Sequence, residues 1–220
     1  MMKLHQVVAY MLLASGLLVV KLSVAQTNPD ATTSINAETL RPLLNSERIK
    51  LKFGSYWIDV LQNSEKVRVS NLYSEKGNKK TTRTLAVVVY PGIIAPQFKA
   101  EHQQIVAGGS IGATFKQSGW KINKQHNYFG EIATSKNLSQ LYTLMGNIKP
   151  TQLAVHIYQL NVTKQGKQYH YATIAEVHHP DYLTMKDLQG IYQGDYQKFQ
   201  TKNNAIESVL NIVIDKLENL

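Results

Sequence analysis

The chain has 220 residues and no cysteine, and its 24 basic and 15 acidic side chains give a formal net charge of +9 at pH 7. The lack of cysteine excludes disulfides, thiol catalysis and cysteine-ligated zinc sites. The basic balance favours an anionic partner, which we expect to be a lipid, a glycan or another envelope component. Because the charges are dispersed, a nucleic acid is not expected, and a surface kept soluble by its net charge is the alternative. The sequence leaves the oligomeric state open.

The N-terminus is typical of an export signal. Lys3 precedes an almost wholly apolar stretch over 7–20, and the small residues over 23–25 fit the rule for cleavage before Gln26. The apolar stretch is shorter than the roughly 20 residues that span a bilayer. We therefore expect a signal peptide over 1–25 and no transmembrane helix in the mature chain, with an uncleaved anchor as the alternative. The predicted location is the periplasm of a Gram-negative bacterium or the extracellular space.

The polar segment 26–46 is predicted to be a flexible lead-in that contains at most a short helix, followed by a single domain over 47–220. This domain opens with two alternating apolar runs, 49–53 and 56–60, on either side of Gly54. Glycine at the first position suits a two-residue hairpin turn. The pattern therefore predicts that the two runs pair as a β-hairpin.

The remaining elements are predicted from the periodicity of the apolar residues. Continuous apolar character over 85–90 indicates a central strand that is covered on both faces. Further strands are predicted over 66–73 and 128–134, a second hairpin over 153–162 and 168–177, and helices over 97–117, 137–145 and 204–217. Strands come in runs and do not alternate with helices. We therefore expect an α+β domain with a mainly antiparallel sheet of about six to eight strands, in meanders and hairpins, and helices packed on one face.

The sequence Gly-Gly-Ser-Ile-Gly over 108–112 fits the G-x-S-x-G spacing of serine esterases, which makes Ser110 a candidate nucleophile. Such a serine sits on a turn between a strand and a helix. The preceding residues, 101–107, begin with a polar run and make a poor buried strand. We therefore favour a helix whose glycines let it lie close to the sheet, at a cost of about 1 kcal/mol for each glycine relative to alanine.

The second hairpin gathers polar side chains on the face opposite its apolar residues. A three-residue turn would place His156, Tyr158, His170, Glu176 and His178 on that face, with His156 diagonal to Glu176. Histidine and carboxylate side chains bind zinc and non-haem iron, so His156, Glu176 and His178 are candidate ligands of a divalent metal. No other cofactor is expected. Glu176 and His178 are also candidate acid–base catalysts, and a solvated polar face is the alternative.

Aromatic and basic residues are mixed in the segment before this hairpin. Trp120, Lys121 and Tyr128 belong to this mixture, which is typical of surfaces that bind sugars or lipid headgroups. With Tyr158 and His170, they are the candidate ligand-binding residues. The alternative assigns Trp120 to the edge of the hydrophobic core.

These patterns favour an exported, basic α+β protein that acts as a binding or accessory module for an anionic or small-molecule ligand of the envelope. One alternative is a hydrolase, which would use the histidine–glutamate cluster in metal-assisted or acid–base chemistry, or Ser110 as an esterase. Another alternative is a structural or assembly factor of an envelope or secretion complex. The sequence does not decide whether the protein is an enzyme, although a binding protein is favoured.

Overall fold

The computed structural model describes residues 37–133, 136–148 and 151–220, and these belong to one compact unit. The predicted signal peptide over 1–25 lies outside the described residues. Of the helices in the described ranges, none is both long and apolar enough to cross a membrane.

The strands, in chain order, are β1 (Trp57–Asn63), β2 (Val67–Lys76), β3 (Lys79–Val89), β4 (Lys121–Ala133), β5 (Gln152–Lys164) and β6 (Lys167–His178). The helices are α1 (Ala37–Leu40), α2 (Asn45–Phe53), α3 (Lys99–Val106), α4 (Ile111–Gln117), α5 (Ser139–Leu144), α6 (Met185–Tyr192), α7 (Gly194–Lys198) and α8 (Asn204–Glu218). Short 3₁₀ turns at Pro96–Phe98 and Lys136–Leu138 lead into α3 and α5.

The six strands form one antiparallel sheet in the order β1-β2-β3-β6-β5-β4. It consists of two three-stranded meanders, which join where β3 pairs with β6. The predicted α+β class and antiparallel sheet are thereby confirmed. The central strand predicted over 85–90 is confirmed as well, because β3 has a neighbour on each side and both Val87 and Val88 are buried.

One face of the sheet carries Val87, Val155 and Val177, and we call it the apolar face. Helices α5 and α8 cover this face. The side chain of Asn203 caps the start of α8 by accepting a hydrogen bond from the backbone nitrogen of the third residue along, at 3.0 Å. The helix buries one stripe of residues, which confirms the amphipathic helix predicted near this end of the chain: Ile206, Leu210, Val213 and Leu217.

The other face carries most of the buried polar side chains of the sheet, and we call it the polar face: Arg68, Ser70, Thr84, His156, Tyr158, Glu176 and His178. One hydrophobic cluster packs α1, α2, α6 and α7 on this face, and a second packs α3 and α4. Helices therefore cover both faces, where the sequence predicted only one. A solvated polar face was the alternative drawn from the sequence, but these polar groups are buried, and several of them are hydrogen-bonded to one another or to the helices.

The first predicted hairpin is wrong, because 49–53 is not a strand. This segment forms most of α2, in which Ile49 is completely buried and Leu51 is 50% exposed. Gly54, assigned to the hairpin turn, instead ends α2 in a left-handed conformation with φ of 79°. The residue four positions after Ile49 is also apolar, so the segment fits one face of a helix as well as alternation in a strand.

The predicted helix over 97–117 is interrupted in its middle. Helix α3 ends before Gly108, which has φ of 111°, and α4 begins three residues later. The side chain of Arg68 bridges this interruption from β2, because its guanidinium donates to the Ile105 oxygen at 2.5 Å and to the Gly109 oxygen at 3.0 Å. The break between α3 and α4 is therefore fixed to the polar face of the sheet.

The glycines at this break are needed for close packing, although not in the predicted arrangement. A Cβ atom on Gly109 would lie 2.8 Å from the Gln104 oxygen, a backbone atom that cannot move aside. One on Gly112 would lie 2.5 Å from Cδ1 of Leu44, in the segment before α2. The three atoms nearest to such a Cβ on Gly112 all belong to Leu44, and a Cβ on Gly108 would have no atom within 4 Å, so the close contacts of these glycines are not the expected ones with the sheet.

Candidate functional site

The second hairpin is confirmed, but its turn is shorter than predicted. Lys164 pairs with Lys167, which leaves Gln165 and Gly166 as the turn, with φ of 52° and 76°. Two consecutive positive values are typical of the type I′ turn, whose twist matches that of antiparallel strands. The predicted three-residue turn is therefore wrong, and the pairing of β5 with β6 changes with it.

His156 pairs directly with Glu176, and the diagonal arrangement that we expected is wrong. A bulge at Tyr171, between the turn and this pair, adds one residue to β6. Beyond the bulge, His170 pairs with Asn161 and lies on the side of the apolar face. The prediction that His170 shares a face with His156 is wrong, because the extra residue reverses the alternation of side chains along β6.

Four side chains on the polar face form a chain of contacts that we call the Glu–His network: Tyr158, Glu176, His156 and His126. The Tyr158 hydroxyl donates to Oε1 of Glu176 at 3.0 Å, and Oε2 of Glu176 lies 4.0 Å from Nδ1 of His156. Nε2 of His156 then lies 2.8 Å from Nδ1 of His126. The ring of Phe129 stacks on His156 with centroids 4.4 Å apart and planes 9° apart, which fixes the imidazole between its neighbours.

The network contains a charged carboxylate and neutral imidazoles. Burial on its own would raise the pKa of Glu176, but the positive charges of Lys124 and Arg48 and the hydrogen bond from Tyr158 hold the pKa of its carboxyl below the usual value. Burial lowers the pKa of His126 to about 4 and holds the pKa of His156 well below its usual value. Near neutral pH, an ionised Glu176 therefore faces an uncharged His156.

His178 lies two residues from Glu176 along β6 and is fixed by the neighbouring strand. Its Nδ1 lies 3.0 Å from Oγ1 of Thr84, which also accepts a hydrogen bond from Asn45 at 3.1 Å. Burial lowers the pKa of His178 to about 4. Within the described parts of the chain, neither Nε2 of His178 nor Nδ1 of His156 has a hydrogen-bond partner.

The predicted metal ligands share a face without forming a coordination site. In the described ranges, no three or more histidine, cysteine, aspartate or glutamate side chains are placed to hold a metal ion. His156 Nδ1 and Glu176 Oε2 are 4.0 Å apart. Ligands of a tetrahedral zinc at about 2.1 Å lie roughly 3.4 Å from one another, so this pair is too far apart. The donor set His156, Glu176 and His178 does not fit a metal in this arrangement.

Ser110 does not sit on the strand-to-helix turn that an esterase serine needs, because the helix α3 precedes it. It is the residue before α4 and has an extended backbone with φ of −73°. Ser110 nevertheless lies on the same cavity wall as Tyr158 and Glu176. Two candidate sites that are 66 residues apart in the sequence thus face one space.

We call this space the inner cavity; it lies between the polar face and helices α2 and α4 and has a volume of about 70 Å³. Its polar wall includes Ser110, Arg68, Lys124, Tyr158 and Glu176. Most of the remaining wall is apolar and comes from both the sheet and the helices: Leu44, Ile58, Leu72, Ala86, Val88, Ile111, Leu160 and Ile174. Apolar walls with a few convergent polar groups are typical of small-molecule sites.

A second, open space lies beside the first, and we call it the outer groove. It has a volume of about 550 Å³, and Leu44 and Lys124 line both the groove and the inner cavity. Its described lining contains four basic residues and one acid: Arg41, Lys116, Lys121, Lys124 and Asp195. His126 also lines the groove, so the Glu–His network runs from the inner cavity to the outer groove.

Nothing matches the chain among protein families or curated proteins. The function is therefore argued from the two adjoining spaces and from the side chains that line them.

The other residues predicted to bind ligand have separate positions. Trp120 is only 5% exposed and its indole nitrogen donates to Oε1 of Glu101 at 2.9 Å, so it is part of the core and meets the groove with one edge of its side chain. Lys121 is exposed and lines the groove. Tyr128 is buried in the apolar-face cluster, where its hydroxyl lies directly against Gly130. The structure thus brings Lys121 and Tyr158 to the adjoining spaces and separates them from Tyr128.

Proposed function

We propose that the protein binds a small amphipathic anion, whose charged group occupies the outer groove and whose apolar part enters the inner cavity. The observation that carries this proposal is the shared boundary of the two spaces, which Leu44 and Lys124 line together. A ligand that crosses the boundary places its charge near Lys124 and its apolar part against Leu44 and the walls beyond.

Lys121 is available for the ligand, and Lys124 acts on the ligand as well as on Glu176. Lys116 is paired with Glu47 at 2.7 Å, whereas within the described ranges Lys121 and Lys124 form no ion pair. The ammonium group of Lys124 lies 4.4 Å from the ring centroid of Tyr158, at the entrance to the inner cavity. An exposed ion pair contributes up to about 1 kcal/mol, so these lysines select the sign of the ligand's charge more than they hold it.

Most of the affinity comes from the apolar wall. Removing about 150 Å² of ligand surface from water at roughly 25 cal/mol/Å² contributes about 4 kcal/mol. With one ion pair added, the total of about 5 kcal/mol corresponds to a dissociation constant of about 0.2 mM before the cost of association, so we expect millimolar or weaker binding. Affinities in this range fit a carrier or accessory protein that releases its ligand readily.

Binding is better supported than the hydrolytic alternatives. A general base works best when its pKa is near the working pH, yet Lys124 and Arg48 hold the pKa of Glu176 below its ordinary value. The described donor set does not fit a metal, and Ser110 has no strand in front of it. Catalytic roles for Ser110, Glu176 and His178 remain predictions without a supporting geometry. No observation favours an assembly role.

The predicted export signal places the ligand, in this proposal, in the periplasm or outside the cell, where anionic lipids and glycans are abundant. Expression in a Gram-negative host followed by mass spectrometry of the periplasmic protein tests this point. A chain that begins at Gln26 supports export and cleavage, and a protein that stays in the cytoplasm with residues 1–25 attached contradicts them.

Calorimetric titration with three ligands of equal chain length tests the binding proposal. At low salt we expect octanoate to bind more tightly than octanol, and octylammonium most weakly, because the groove is basic. Replacing Lys124 with Met should weaken the binding of octanoate roughly fivefold and leave the affinity for octanol unchanged. Lys79→Met, at the exposed start of β3, is the matched control. The proposal is contradicted if octanoate does not bind, or if the three ligands bind equally well regardless of their charge.

A further inference from the structure

Glu176 is a buried carboxylate whose hydrogen-bonding capacity is not filled. Its side chain is 5% exposed, and the Tyr158 hydroxyl donates to one of its oxygens, Oε1. Among the described residues no second group donates to it, since Nδ1 of His156 is 4.0 Å from Oε2. An ionised carboxylate has about four acceptor positions, and leaving a buried one unfilled is unfavourable. The free oxygen belongs to a residue that lines the inner cavity.

Two imidazole nitrogens next to Glu176 are in the same condition. Within the described chain, Nδ1 of His156 and Nε2 of His178 are buried and have no hydrogen-bond partner. His156 is the direct cross-strand partner of Glu176, and His178 is two residues along the same strand, so all three lie on the polar face. Neither histidine lines the inner cavity, so Glu176 is the one of the three that a guest in the cavity can reach. Because buried polar groups are nearly always hydrogen-bonded, its unfilled acceptor positions favour a polar guest.

The charges around Glu176 decide which polar guest fits. Lys124 and Arg48 already act on its carboxylate, and Arg68 lines the same cavity. An ammonium group in this position would be attracted by one anion but repelled by three nearby cations. A neutral hydroxyl fills the empty acceptor without adding charge.

We infer that the inner cavity recognises a hydroxyl group, so that the ligand is an anion whose far end carries a hydroxyl that donates to Glu176. This inference rests on the proposed function, since it names the chemistry of the ligand at the same site. The charged end lies by Lys124 and the hydroxyl end by Glu176, with an apolar segment between them. Glu176 is then the residue that sets specificity, and Tyr158 positions it through the Oε1 hydrogen bond.

Titration of the full-length protein with 8-hydroxyoctanoate, octanoate and 8-aminooctanoate tests the inference. We expect the hydroxy acid to bind roughly tenfold more tightly than octanoate, because one hydrogen bond to a charged group is gained. In Glu176→Met this preference should disappear while octanoate still binds, and Glu176→Gln should show a reduced preference. Glu131→Gln, at an exposed position on β4 outside both spaces, is the control and should keep the full preference.

Each result has a distinct meaning. Equal affinity for the hydroxy acid and octanoate in the wild-type protein overturns the hydroxyl inference and leaves the proposed function standing. Tighter binding of 8-aminooctanoate also overturns it, because the cavity would then select a cation. No binding of any of the three overturns both proposals. If either Glu176 variant fails to fold, the comparison of ligands in the wild-type protein decides the question alone.

Discussion

His156 faces Glu176 across the β5–β6 pair, with Nδ1 of His156 4.0 Å from Oε2 of Glu176. Burial lowers the pKa of His156 well below its usual value, so this contact joins a carboxylate and a neutral imidazole and is not a salt bridge. The negative charge is compensated by Lys124, at the entrance to the cavity, and by Arg48. The centre of the polar face is therefore charged, buried and sensitive to protonation.

The first prediction is a loss of stability in mild acid. Burial lowers the pKa of His178 and of His126 from 6.5 to about 4, so the unfolded chain binds protons that the folded one does not. Stability is then complete above about pH 6.5 and falls as the pH drops toward 4, by about 3 kcal/mol for His178 alone. Urea denaturation at pH 7.5, 6, 5 and 4.5 measures this. A free energy of unfolding that is constant from pH 7.5 to 5 would contradict it.

The second prediction concerns Arg68, which is completely buried and bonded to the Ile105 and Gly109 oxygens. Arg68→Met leaves both carbonyls without this donor, and we expect it to lower the free energy of unfolding by about 2–4 kcal/mol. Lys66→Met, at an exposed position just before β2, is the control and should change it by less than about 0.5 kcal/mol. Equal unfolding midpoints for the two variants would show that the hydrogen bonds from Arg68 contribute nothing to the stability of the fold.

The third prediction compares the stability effects of alanine substitutions at two glycines with different surroundings. Gly109→Ala puts a Cβ atom 2.8 Å from the Gln104 backbone oxygen, which cannot move without disturbing α3. We expect a loss of about 1–3 kcal/mol, measured by thermal or urea unfolding. Gly92→Ala has no atom within 4 Å of the new Cβ and should be nearly neutral. Gly109→Ala as stable as Gly92→Ala would mean that the α3–α4 break is not closely packed.

The fourth prediction distinguishes the two tryptophans. Trp120 donates to Glu101 at 2.9 Å and packs against Phe98 and Phe115, whereas Trp57 is 54% exposed. Trp120→Phe removes that donor, and we expect a loss of about 1–2 kcal/mol in unfolding free energy, with almost none for Trp57→Phe. Acrylamide should quench the fluorescence of the Trp120→Phe protein, which retains only Trp57, more strongly than that of the Trp57→Phe protein. The reverse order of quenching would place Trp120 at the surface.

The parts of the fold that were predicted correctly are those whose pattern fits only one structure. The stripe from Ile206 to Leu217 repeats every three or four residues over four turns, which no strand can match. The continuous apolar run in β3 requires cover on both faces. By contrast, 49–53 is short enough to fit a strand and a helix equally well, and Gly54 suits both a hairpin turn and a helix end. Tertiary packing of Ile49 decides between them.

Only the part of the candidate site that lies on the second hairpin was predicted from the sequence. His156, Tyr158, Glu176 and His178 come from β5 and β6, and alternation along two paired strands was enough to place them together. His126 was missed because β4 begins at Lys121, well before the predicted start of that strand at 128. Arg68 and Lys124 were not assigned to this site because sheet pairing and helix packing bring them there. The spacing of residues along the sequence does not show such contacts.

The most direct test of the central claim, that one ligand occupies both the outer groove and the inner cavity, is a titration of the isotope-labelled protein with octanoate at low salt, followed by NMR. The account predicts saturable shifts at the shared boundary and inside the cavity, led by the backbone amides of Leu44, Lys124, Tyr158 and Glu176. The amides of α8, on the apolar face, should not move. Shifts confined to α8, or no shifts at any octanoate concentration up to about 50 mM, would contradict it.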